Sequence, residues 1–403
     1  MSISVFDLRR QLESRRAVLR QAQSVALPVW RDIRQFIQPF RGRFDGERPN
    51  QHSPDMTKII RSKMFRAKNI LVSGMQSGMT SQSRQWFKIS VPDPDLAEFY
   101  SVRAWCDEVH DRIMRVLPGA NFYRSALSVY DELASFGTGA VSVVRDFENV
   151  ARFKAYTCGR YYAGLGVRDR VDTIYRDFWM SAYQLVTEFG YDNCSLAVRD
   201  CSKTRPDTMF AVRHAVEPDT SPGAKFPYRS VYWEEGGDGN KVLRISGFNL
   251  FPAMIPRWDV MEDEIYGYGP GTVILPDCKS LQKKSSSELL AIDKQVNPPL
   301  QVAASLRGSN VRTTPNGITY VPDTPSGVLV APIYDTNVNL SYLKESINET
   351  IADINEGMYV DLFLMLTNTT DANRTAYEVA ELQQEKMQVL GLVLDRLVDE
   401  FLS

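Results

Sequence analysis

The sequence predicts an α+β protein whose β-rich centre lies between helical segments. Three observations carry this prediction. Residues 1–136 place apolar side chains at helical spacing, whereas residues 137–260 contain short β-branched and aromatic runs separated by turn residues. Residues 272–296 and 339–363 are then two long segments of helical character, and they flank about forty residues rich in Gly, Pro, Asn and Thr.

The N-terminal helices are predicted from apolar spacing and from helix breakers. Val5, Leu8 and Leu12 begin one helical pattern, and Pro28 marks the start of a second. Further helices are expected at residues 58–74, 95–116 and 122–136. Residues 1–68 also hold 15 Lys or Arg against 6 Asp or Glu. This basic excess predicts a solvated helical face, and the alternative is a surface that faces DNA or an acidic neighbour.

The central region is predicted to form mixed or antiparallel sheets. Gly236-Gly-Asp-Gly-Asn240 is typical of a hairpin turn, and one helix is expected at residues 181–189. The candidate strands are residues 140–145, 153–156, 171–178, 209–213, 228–233 and 242–245.

Composition and charge exclude several classes of protein. The 403 residues are 43% hydrophobic and 24% charged, which is typical of folded domains rather than of a disordered chain. The formal net charge is −2, so any contact with duplex DNA should be loose or local. Five irregularly spaced Cys indicate reduced thiols rather than a disulfide framework. No signal-peptide core and no apolar run of about 18 residues is present, so no membrane contact is expected.

A search for catalytic or metal-binding motifs finds no convincing site. The chain has three His, none of them in a zinc-binding or nucleophile motif. Cys194, Cys201 and His214 could be drawn together as a zinc site, but their spacing fits no common pattern. No phosphate-binding G-x-x-x-x-G-K-[ST] motif occurs. The sequence therefore predicts a protein without catalysis and without a cofactor.

Two other patterns have a functional and a structural interpretation. The acidic clusters could bind Mg²⁺, but solvated loop acids are the favoured interpretation. These clusters are Asp93 with Asp95, and Glu262 with Asp263 and Glu264. Gly267-Tyr-Gly-Pro-Gly271 resembles a dinucleotide fingerprint whose third glycine comes one place early, so it predicts a turn before a helix.

The second long segment combines an apolar stripe with an acidic face. Its apolar residues are Leu343, Ile347, Ile351, Ile354, Met358 and Leu362. Between them lie Glu345, Glu349, Asp353 and Glu356, and Lys344 is the only basic residue of the segment. The simple interpretation is an amphipathic helix with one solvated face, which Gly357 could bend. In a ring, the same face could line a channel and repel phosphates.

Eight short stretches give the chain a resemblance to a known family. They are residues 78–87, 92–96, 121–123, 136–139, 166–176, 266–271, 297–300 and 374–379. Taken together and in this order, they resemble the head-to-tail connecting (portal) proteins of short-tailed, T7-like bacteriophages over essentially the whole chain. One departure is that Arg374-Thr-Ala lacks the Met of the family's Arg-Met-Thr-Ala run.

The resemblance implies a non-enzymatic ring of identical subunits, usually twelve, at one capsid vertex. Double-stranded DNA would pass through its channel during packaging and ejection. The implied partners are the terminase large subunit, a tail adaptor, and the capsid and scaffolding proteins. The implied location is the virion, and the host cytoplasm during assembly. Another ring-forming head-tail connector or a tail adaptor is the alternative, and an enzyme such as a nuclease or packaging ATPase is a third hypothesis.

The resemblance also implies a division of the chain. It gives a wing at 1–265, a first stem helix at 266–297, a clip at 298–338, a second stem helix at 339–363, a tunnel loop at 364–374 and a C-terminal helix towards the wing or crown at 375–403. The implied channel-lining residues are Glu345, Glu349, Asp353, Glu356, Asn368, Thr369, Asn373 and Arg374. The implied docking residues of the clip are Arg307, Asn310 and Arg312. Family members usually continue into a crown, so we expect the crown to be absent or the chain to be shortened.

Overall fold

The N-terminal part of the protein is a layer of helices. The computed structural model describes residues 4–44, 46–48, 53–221, 223–237, 239, 241–296, 300–302, 330–332, 340–367 and 391–402. The first helices are α1 (Val5–Ser24), α2 (Leu27–Phe36), α3 (Lys63–Met79), α4 (Pro94–Glu98), α5 (Tyr100–Gly119) and α6 (Phe122–Phe136). Ser4 caps α1 by accepting a hydrogen bond from the Asp7 N–H at 3.1 Å. Helix α3 begins and ends about one turn later than its sequence pattern indicates.

Two antiparallel sheets form the β-rich centre. The strands are β1 (Ala140–Asp146), β2 (Val150–Tyr156), β3 (Tyr161–Leu165), β4 (Val171–Ser181), β5 (Met209–Pro218), β6 (Tyr228–Glu234), β7 (Arg244–Phe248) and β8 (Ala253–Met254). One sheet has the order β3-β4-β5-β6-β7 and the other has the order β2-β1-β8. All of these pairings are antiparallel, as the sequence pattern allowed. Strand β3 and the short strand β8 were not predicted.

Two short helices interrupt the larger sheet between β4 and β5. They are α7 (Ala182–Phe189) and α8 (Leu196–Thr204). Ser181 and Gln184 form a capping box at the start of α7, since each side chain bonds to the other residue's backbone N–H. Only α7 was expected from the sequence. Both helices cover a small apolar cluster that includes Leu185, Cys194 and Val198.

Helix α6 lies at the centre of the main core, where most of its residues are buried. It ends at Gly137, whose positive φ of 79° is a conformation that favours glycine. The chain then approaches this end again through the glycines of residues 267–271. A Cβ atom on Gly269 would lie 2.4 Å from the Leu133 carbonyl oxygen, and one on Gly271 would lie 2.2 Å from that of Ser135. The glycine cluster is therefore a turn that lets two backbone segments touch, and a helix begins at Pro270 directly after it.

The C-terminal part contains the two long segments. Its elements are α9 (Pro270–Val273), α10 (Leu275–Val296), β9 (Leu300–Val302), β10 (Val330–Pro332), α11 (Ser341–Gly357), α12 (Val360–Thr367) and α13 (Gly391–Leu397), and α13 is followed by a π-helical turn (Val398–Leu402). Strands β9 and β10 pair antiparallel. Among the described helices, none has both the length and the apolar character that a bilayer crossing requires.

The last described turn of the chain packs against residues 1–265, the predicted wing segment. Phe401 is buried and lies against Phe122 and Tyr130, with ring centroids 6.2 and 5.8 Å apart. Arg257 is also buried, and its Nη2 and Nε both donate to Oε1 of Glu400, at 2.6 and 3.1 Å, while its backbone N–H donates to Oε2 at 2.9 Å. A buried ion pair therefore fixes the end of the described chain to the sheet region.

Candidate functional site

Helices α10 and α11 form an antiparallel pair with a polar tie at its middle. Lys284 of α10 donates to the hydroxyl groups of Ser346 and Thr350, both at 2.8 Å, and to the Ser346 carbonyl at 3.2 Å. Towards the other end of the pair, Gly357 packs closely on Ile274, since a Cβ atom added to Gly357 would lie 2.5 Å from Ile274 Cγ2. The two contacts lie in opposite order along the two helices, which shows that they are antiparallel. The buried face of α10 is mixed, with Leu275, Cys278 and Leu281 in its N-terminal half and with polar residues that include Gln282 and Ser285.

The acidic residues of α11 lie on one exposed face. Glu345, Glu349, Asp353 and Glu356 are all exposed. The opposite face is buried through Ile347, Thr350 and Ile354, which pack towards α10 and α3. The structure thus brings together the four predicted acidic residues as one continuous negative strip. Nothing in the described part of the chain covers this strip.

The prediction of one continuous helix at residues 339–363 is wrong. Helix α11 ends at Gly357, and a separate helix, α12, begins at Val360. Tyr359 lies between them with a positive φ of 54°, which a helix does not allow. The physical reason is close packing on both sides: Gly357 contacts Ile274 of the α9–α10 junction, and Phe363 of α12 packs directly on Gly74 of α3. The break occurs at the glycine that the sequence marked as a weak point.

The remaining predicted site residues lie outside the described residues. This holds for Asn368, Thr369, Asn373 and Arg374 of the predicted tunnel loop, and for Arg307, Asn310 and Arg312 of the predicted clip. Of the predicted clip, the structure describes the β9–β10 pair. Residues 375–390 of the predicted C-terminal helix also fall outside, whereas residues 391–402 are helical.

Helix α10 leaves a group of apolar side chains exposed on its C-terminal half. Leu289 and Leu290 are 54% and 56% exposed, and Val296 is 70% exposed. These residues lie within two turns of each other on a helix whose other face is already packed. An apolar group of this kind on a folded subunit is typical of a protein–protein contact.

The basic N-terminal run is divided between the two interpretations, because about half of its Lys and Arg residues are exposed, as predicted for a solvated face, and others form ion pairs inside the subunit. Arg16 pairs with Asp177, with Nε and Oδ1 2.9 Å apart, and Lys68 pairs with Asp131 at 2.6 Å. Further pairs join Arg15 to Glu217, Arg34 to Glu47, Arg41 to Asp131 and Arg61 to Glu288. These cations stabilise contacts between helices and sheets.

The side chains that could have formed a metal site serve packing. Cys194 is fully buried in the apolar cluster beneath α7 and α8. His214 is buried in the larger sheet, where its Nε2 lies 2.9 Å from the Ser230 hydroxyl and its ring stacks on Tyr232 at 3.7 Å. Burial, and the cations Arg176, Lys154 and Arg244 nearby, lower the pKa of His214 well below its usual range. Within the described ranges, no group of three His, Cys, Asp or Glu is placed to hold a metal ion.

The acidic clusters considered for Mg²⁺ also have local roles. Asp93 caps the short helix α4 by accepting from the Asp95 N–H at 3.0 Å. Glu264 accepts a hydrogen bond from the Tyr268 hydroxyl at 3.1 Å.

Two features were missed by sequence reasoning. Lys284 stands in a Lys- and Ser-rich run, which gave no indication that it reaches across to α11. Arg152 and Lys154 alternate along β2, so they point to the same face of the sheet. That alternation is a signal that could have revealed a basic face on this sheet, and this face borders a cleft between the two sheets.

Comparison with known proteins gives a consistent result. A family model described as "Bacteriophage head to tail connecting protein" matches residues 9–403. A portal protein of Salmonella phage epsilon15 is 37% identical over 382 residues, which cover 93% of this chain and 69% of that protein. A protein of Bordetella phage BPP-1 named "Probable portal protein" is 35% identical over 402 residues, which cover 98% of this chain and 72% of its own length.

Similar solved structures come from gene transfer agent particles. A chain of the virion of a native particle covers 79% of this chain and 70% of its own length, with 9% identity and a TM-score of 0.37. A chain of the neck of an empty particle covers 84% and 76%, with 10% identity and a TM-score of 0.37. TM-scores at this level do not establish a shared fold.

Proposed function

Because this chain belongs to the bacteriophage head to tail connecting protein family, we propose that it is the subunit of a portal ring at one capsid vertex. The observation that carries this proposal is the match of the family model to residues 9–403, together with 37% identity to a phage portal protein. The ring is the channel for genome packaging and ejection and the attachment point of the tail. The subunit acts as a structural conduit and not as an enzyme.

A closed ring also accounts for the exposed apolar side chains of α10. Leu289, Leu290 and Val296 are exposed in one subunit, and a neighbouring copy would remove them from water. Removing apolar surface from water contributes roughly 25 cal/mol per Å². Burial of these side chains between neighbours would add to the packing that α10 and α11 already make within one subunit.

Electron microscopy of the purified full chain tests the ring directly. Averaged end-on views should show a closed ring with a central opening, with twelve subunits as the expected number. Particles that remain monomers or dimers under assembly conditions would contradict the portal proposal.

The acidic strip of α11 is proposed to face the channel. Glu345, Glu349 and Asp353 would repel the phosphates of double-stranded DNA, which keeps a moving duplex from binding to the wall.

The tunnel-loop residues Asn368, Thr369, Asn373 and Arg374 are proposed to face DNA at the narrowest point. Deleting residues 367–373 should then leave the ring intact and impair packaging or retention of DNA, and loss of the ring would contradict this role.

The clip is proposed to hold the terminase large subunit during packaging and the tail adaptor afterwards. Arg307, Asn310 and Arg312 are the proposed docking residues. Changing Arg307 and Arg312 to Glu should weaken binding of terminase or adaptor in a pull-down with assembled rings, because the reversed charges repel an acidic partner surface. Unchanged binding would remove this assignment.

Capsid and scaffolding proteins are proposed as the partners of residues 1–265. Assembly would take place in the host cytoplasm, and the mature ring would reside in the virion. Detection of the ring at a single vertex of purified particles would support this placement, and its presence at many vertices would contradict it.

A further inference from the structure

A deep basic cleft lies between the two sheets, where β2 faces β4. It consists of two adjoining cavities of about 850 and 650 Å³. Both cavities are lined by Lys154 of β2 and by Arg176 and Phe178 of β4. Cavities of this size are typical of small-ligand sites in proteins.

The cleft carries an excess of positive charge that the subunit does not neutralise. Within the described part of the chain, no carboxylate lies within ion-pair distance of Arg124, Arg152 or Lys154. The acidic residues that line the cleft are already used, because Asp177 pairs with Arg16 and Glu188 pairs with Arg244. The cleft therefore presents free cations towards its interior.

Arg176 is the most informative of these cations. It is only 8% exposed, and it donates to the Tyr156 hydroxyl at 2.6 Å rather than to a carboxylate. Its guanidinium group lies over the rings of Tyr156 and Phe178, at 4.1 and 4.9 Å from their centroids. A buried cation without an anion is costly, so an anionic group at this position would be stabilised.

Lys154 gives a second indication. Desolvation by the walls of the cleft, followed by the neighbouring charges of Arg176 and Arg152, lowers the pKa of Lys154 to about 8, although its side chain still reaches solvent. Like charges are thus held close together in the lining of the cleft. A bound anion would relieve their repulsion.

Aromatic side chains stand beside the cations and narrow the class of ligand. Trp179 and Tyr183 line the larger cavity, and Tyr183 is 64% exposed at its edge. An acidic peptide would use the cations and leave these rings without a role. A nucleotide uses both, since phosphates bind Arg and Lys while bases stack on aromatic rings.

We propose that this cleft is a binding site for a nucleoside phosphate, either a free nucleotide or a nucleotide within an unpaired DNA strand. The phosphate lies against Arg152, Lys154 and Arg176, and the base lies against Tyr183 or Trp179. The site is contained in one subunit, so it is additional to the channel and does not depend on the ring.

Fluorescence anisotropy with the full-length chain tests the site. The probe is a short fluorescein-labelled oligothymidylate, and the competitors are inorganic phosphate, thymidine monophosphate and polyglutamate. The test variant is Arg152→Gln with Lys154→Gln, both at exposed positions. The matched control is Arg10→Gln with Arg112→Gln, which removes the same charge from exposed positions of α1 and α5.

The cleft variant should bind the oligonucleotide at least tenfold more weakly, because each lost charge-assisted hydrogen bond costs roughly 1.5 kcal/mol or more. Its affinity should also depend less on salt, with a slope smaller by about 1.4 for two lost phosphate contacts. The control should match the wild type. Unlabelled oligothymidylate serves as the reference competitor: displacement by thymidine monophosphate at a similar or lower concentration would identify the free nucleotide as the ligand, and displacement by the strand alone would identify the strand.

Three results would overturn the inference. Equal affinity of wild type and cleft variant would place binding elsewhere. Equal weakening in the control would show only a general charge effect. Displacement by polyglutamate but not by phosphate or thymidine monophosphate would show that the cleft binds an acidic protein segment instead. None of these results bears on ring formation.

Discussion

Gly74 and Phe363 show how a single residue permits two helices to meet. A Cβ atom on Gly74 would lie 2.1 Å from Cδ1 of the Phe363 ring, well inside contact distance. Phe363 is buried and holds α12 against α3. The absence of a side chain at Gly74 is therefore a requirement of the α3–α12 contact.

Gly74→Ala should lower the free energy of unfolding by about 1–3 kcal/mol, because the Phe363 ring has to move out of its place. Gly119→Ala is the control, since its Cβ would come no closer than 3.8 Å to the Asn149 side chain and Ala favours a helix over Gly. Chemical denaturation of both variants, followed by circular dichroism, measures the difference. Equal stability of Gly74→Ala and the wild type would show that the contact is absent in solution.

Glu132 is a buried acid whose pKa is raised to about 7, mainly by burial. The attraction of Arg41 and hydrogen bonds from the Cys158 N–H at 3.0 Å and the Thr157 hydroxyl at 2.7 Å only partly offset this effect. The Glu132 carboxyl group therefore keeps its proton up to a higher pH in the folded state than in the unfolded state. The contribution of Glu132 to stability is full below its usual pKa of 4.5 and is lost as the pH rises towards 7.

When the pH is raised from about 5 to about 8, the free energy of unfolding should therefore fall less for Glu132→Gln than for the wild type. The difference can reach on the order of 3 kcal/mol, because one pKa unit corresponds to about 1.4 kcal/mol. Denaturation midpoints at both pH values measure it. Glu148→Gln changes an exposed acid and should keep the wild-type dependence. If the stability of Glu132→Gln depends on pH as that of the wild type does, the pKa of Glu132 is not raised in the folded state.

Helix α11 is the element on which the proposed channel depends. Its acidic strip is exposed along its whole length, and its other face is fixed by Ile347, Ile354 and the Lys284 tie. Because the strip makes no contact within the described subunit, its charges can be changed without disturbing the fold.

Glu345→Gln, Glu349→Gln and Asp353→Asn together should leave folding and ring formation unchanged and slow DNA packaging, because a neutral wall repels phosphates less. The amount of nuclease-protected DNA in an in vitro packaging reaction measures the effect. Asp107→Asn, Glu108→Gln and Asp111→Asn, on the exposed face of α5, form the control. Packaging at the wild-type rate in the α11 variant would show that the strip does not face DNA.

The sequence predicted elements well where periodicity alone determines them. The buried stripe and acidic face of α11 and the long helix α10 follow from spacing, whereas the sheets were predicted only as mixed or antiparallel. The break at Tyr359 could not be predicted in this way, because it depends on Ile274 and Gly74, which lie far away in the sequence. Strand β3 was missed because Tyr161–Leu165 lacks a clear alternation and is buried nearly throughout.

For the candidate site, the sequence showed which residues are charged, but it did not show which other residues lie next to them in the folded subunit. The acidic strip was visible from sequence, whereas the basic cleft joins Arg124, Lys154 and Arg176 from three separate elements. The basic residues at the N-terminus appeared free, and the structure pairs three of them with acids more than a hundred residues away: Arg15 with Glu217, Arg16 with Asp177 and Arg61 with Glu288. Pairing of this kind depends on tertiary structure alone.

At the scale of the whole molecule, the exposed apolar residues of α10 support the proposal that each subunit packs against neighbouring copies. Leu290 and Val296 are more than half exposed in one copy. Each would contribute about 1.5–3 kcal/mol if a neighbouring copy buried it fully. Repeated around a ring, this contact stabilises closure.

Leu290→Glu with Val296→Glu should therefore abolish rings while leaving the folded subunit intact, since a buried, unpaired carboxylate is strongly unfavourable. Mass photometry and electron microscopy count the rings, and circular dichroism verifies the fold. Val167→Glu with Leu196→Glu places the same charges at exposed apolar positions of the wing segment and should leave the rings intact. Normal rings in the α10 variant would show that neighbours meet elsewhere.

The bond between Arg257 and Glu400 has a consequence for how such a protein can change over time. The two residues are 143 positions apart, so helices α10, α11 and α12 belong to a stretch of chain whose two ends are tied together by one buried ion pair. A change of length within that stretch does not alter the two residues of the pair. On the proposed division of the chain, residues 298–338 can therefore diversify to suit a different partner while this pair is kept.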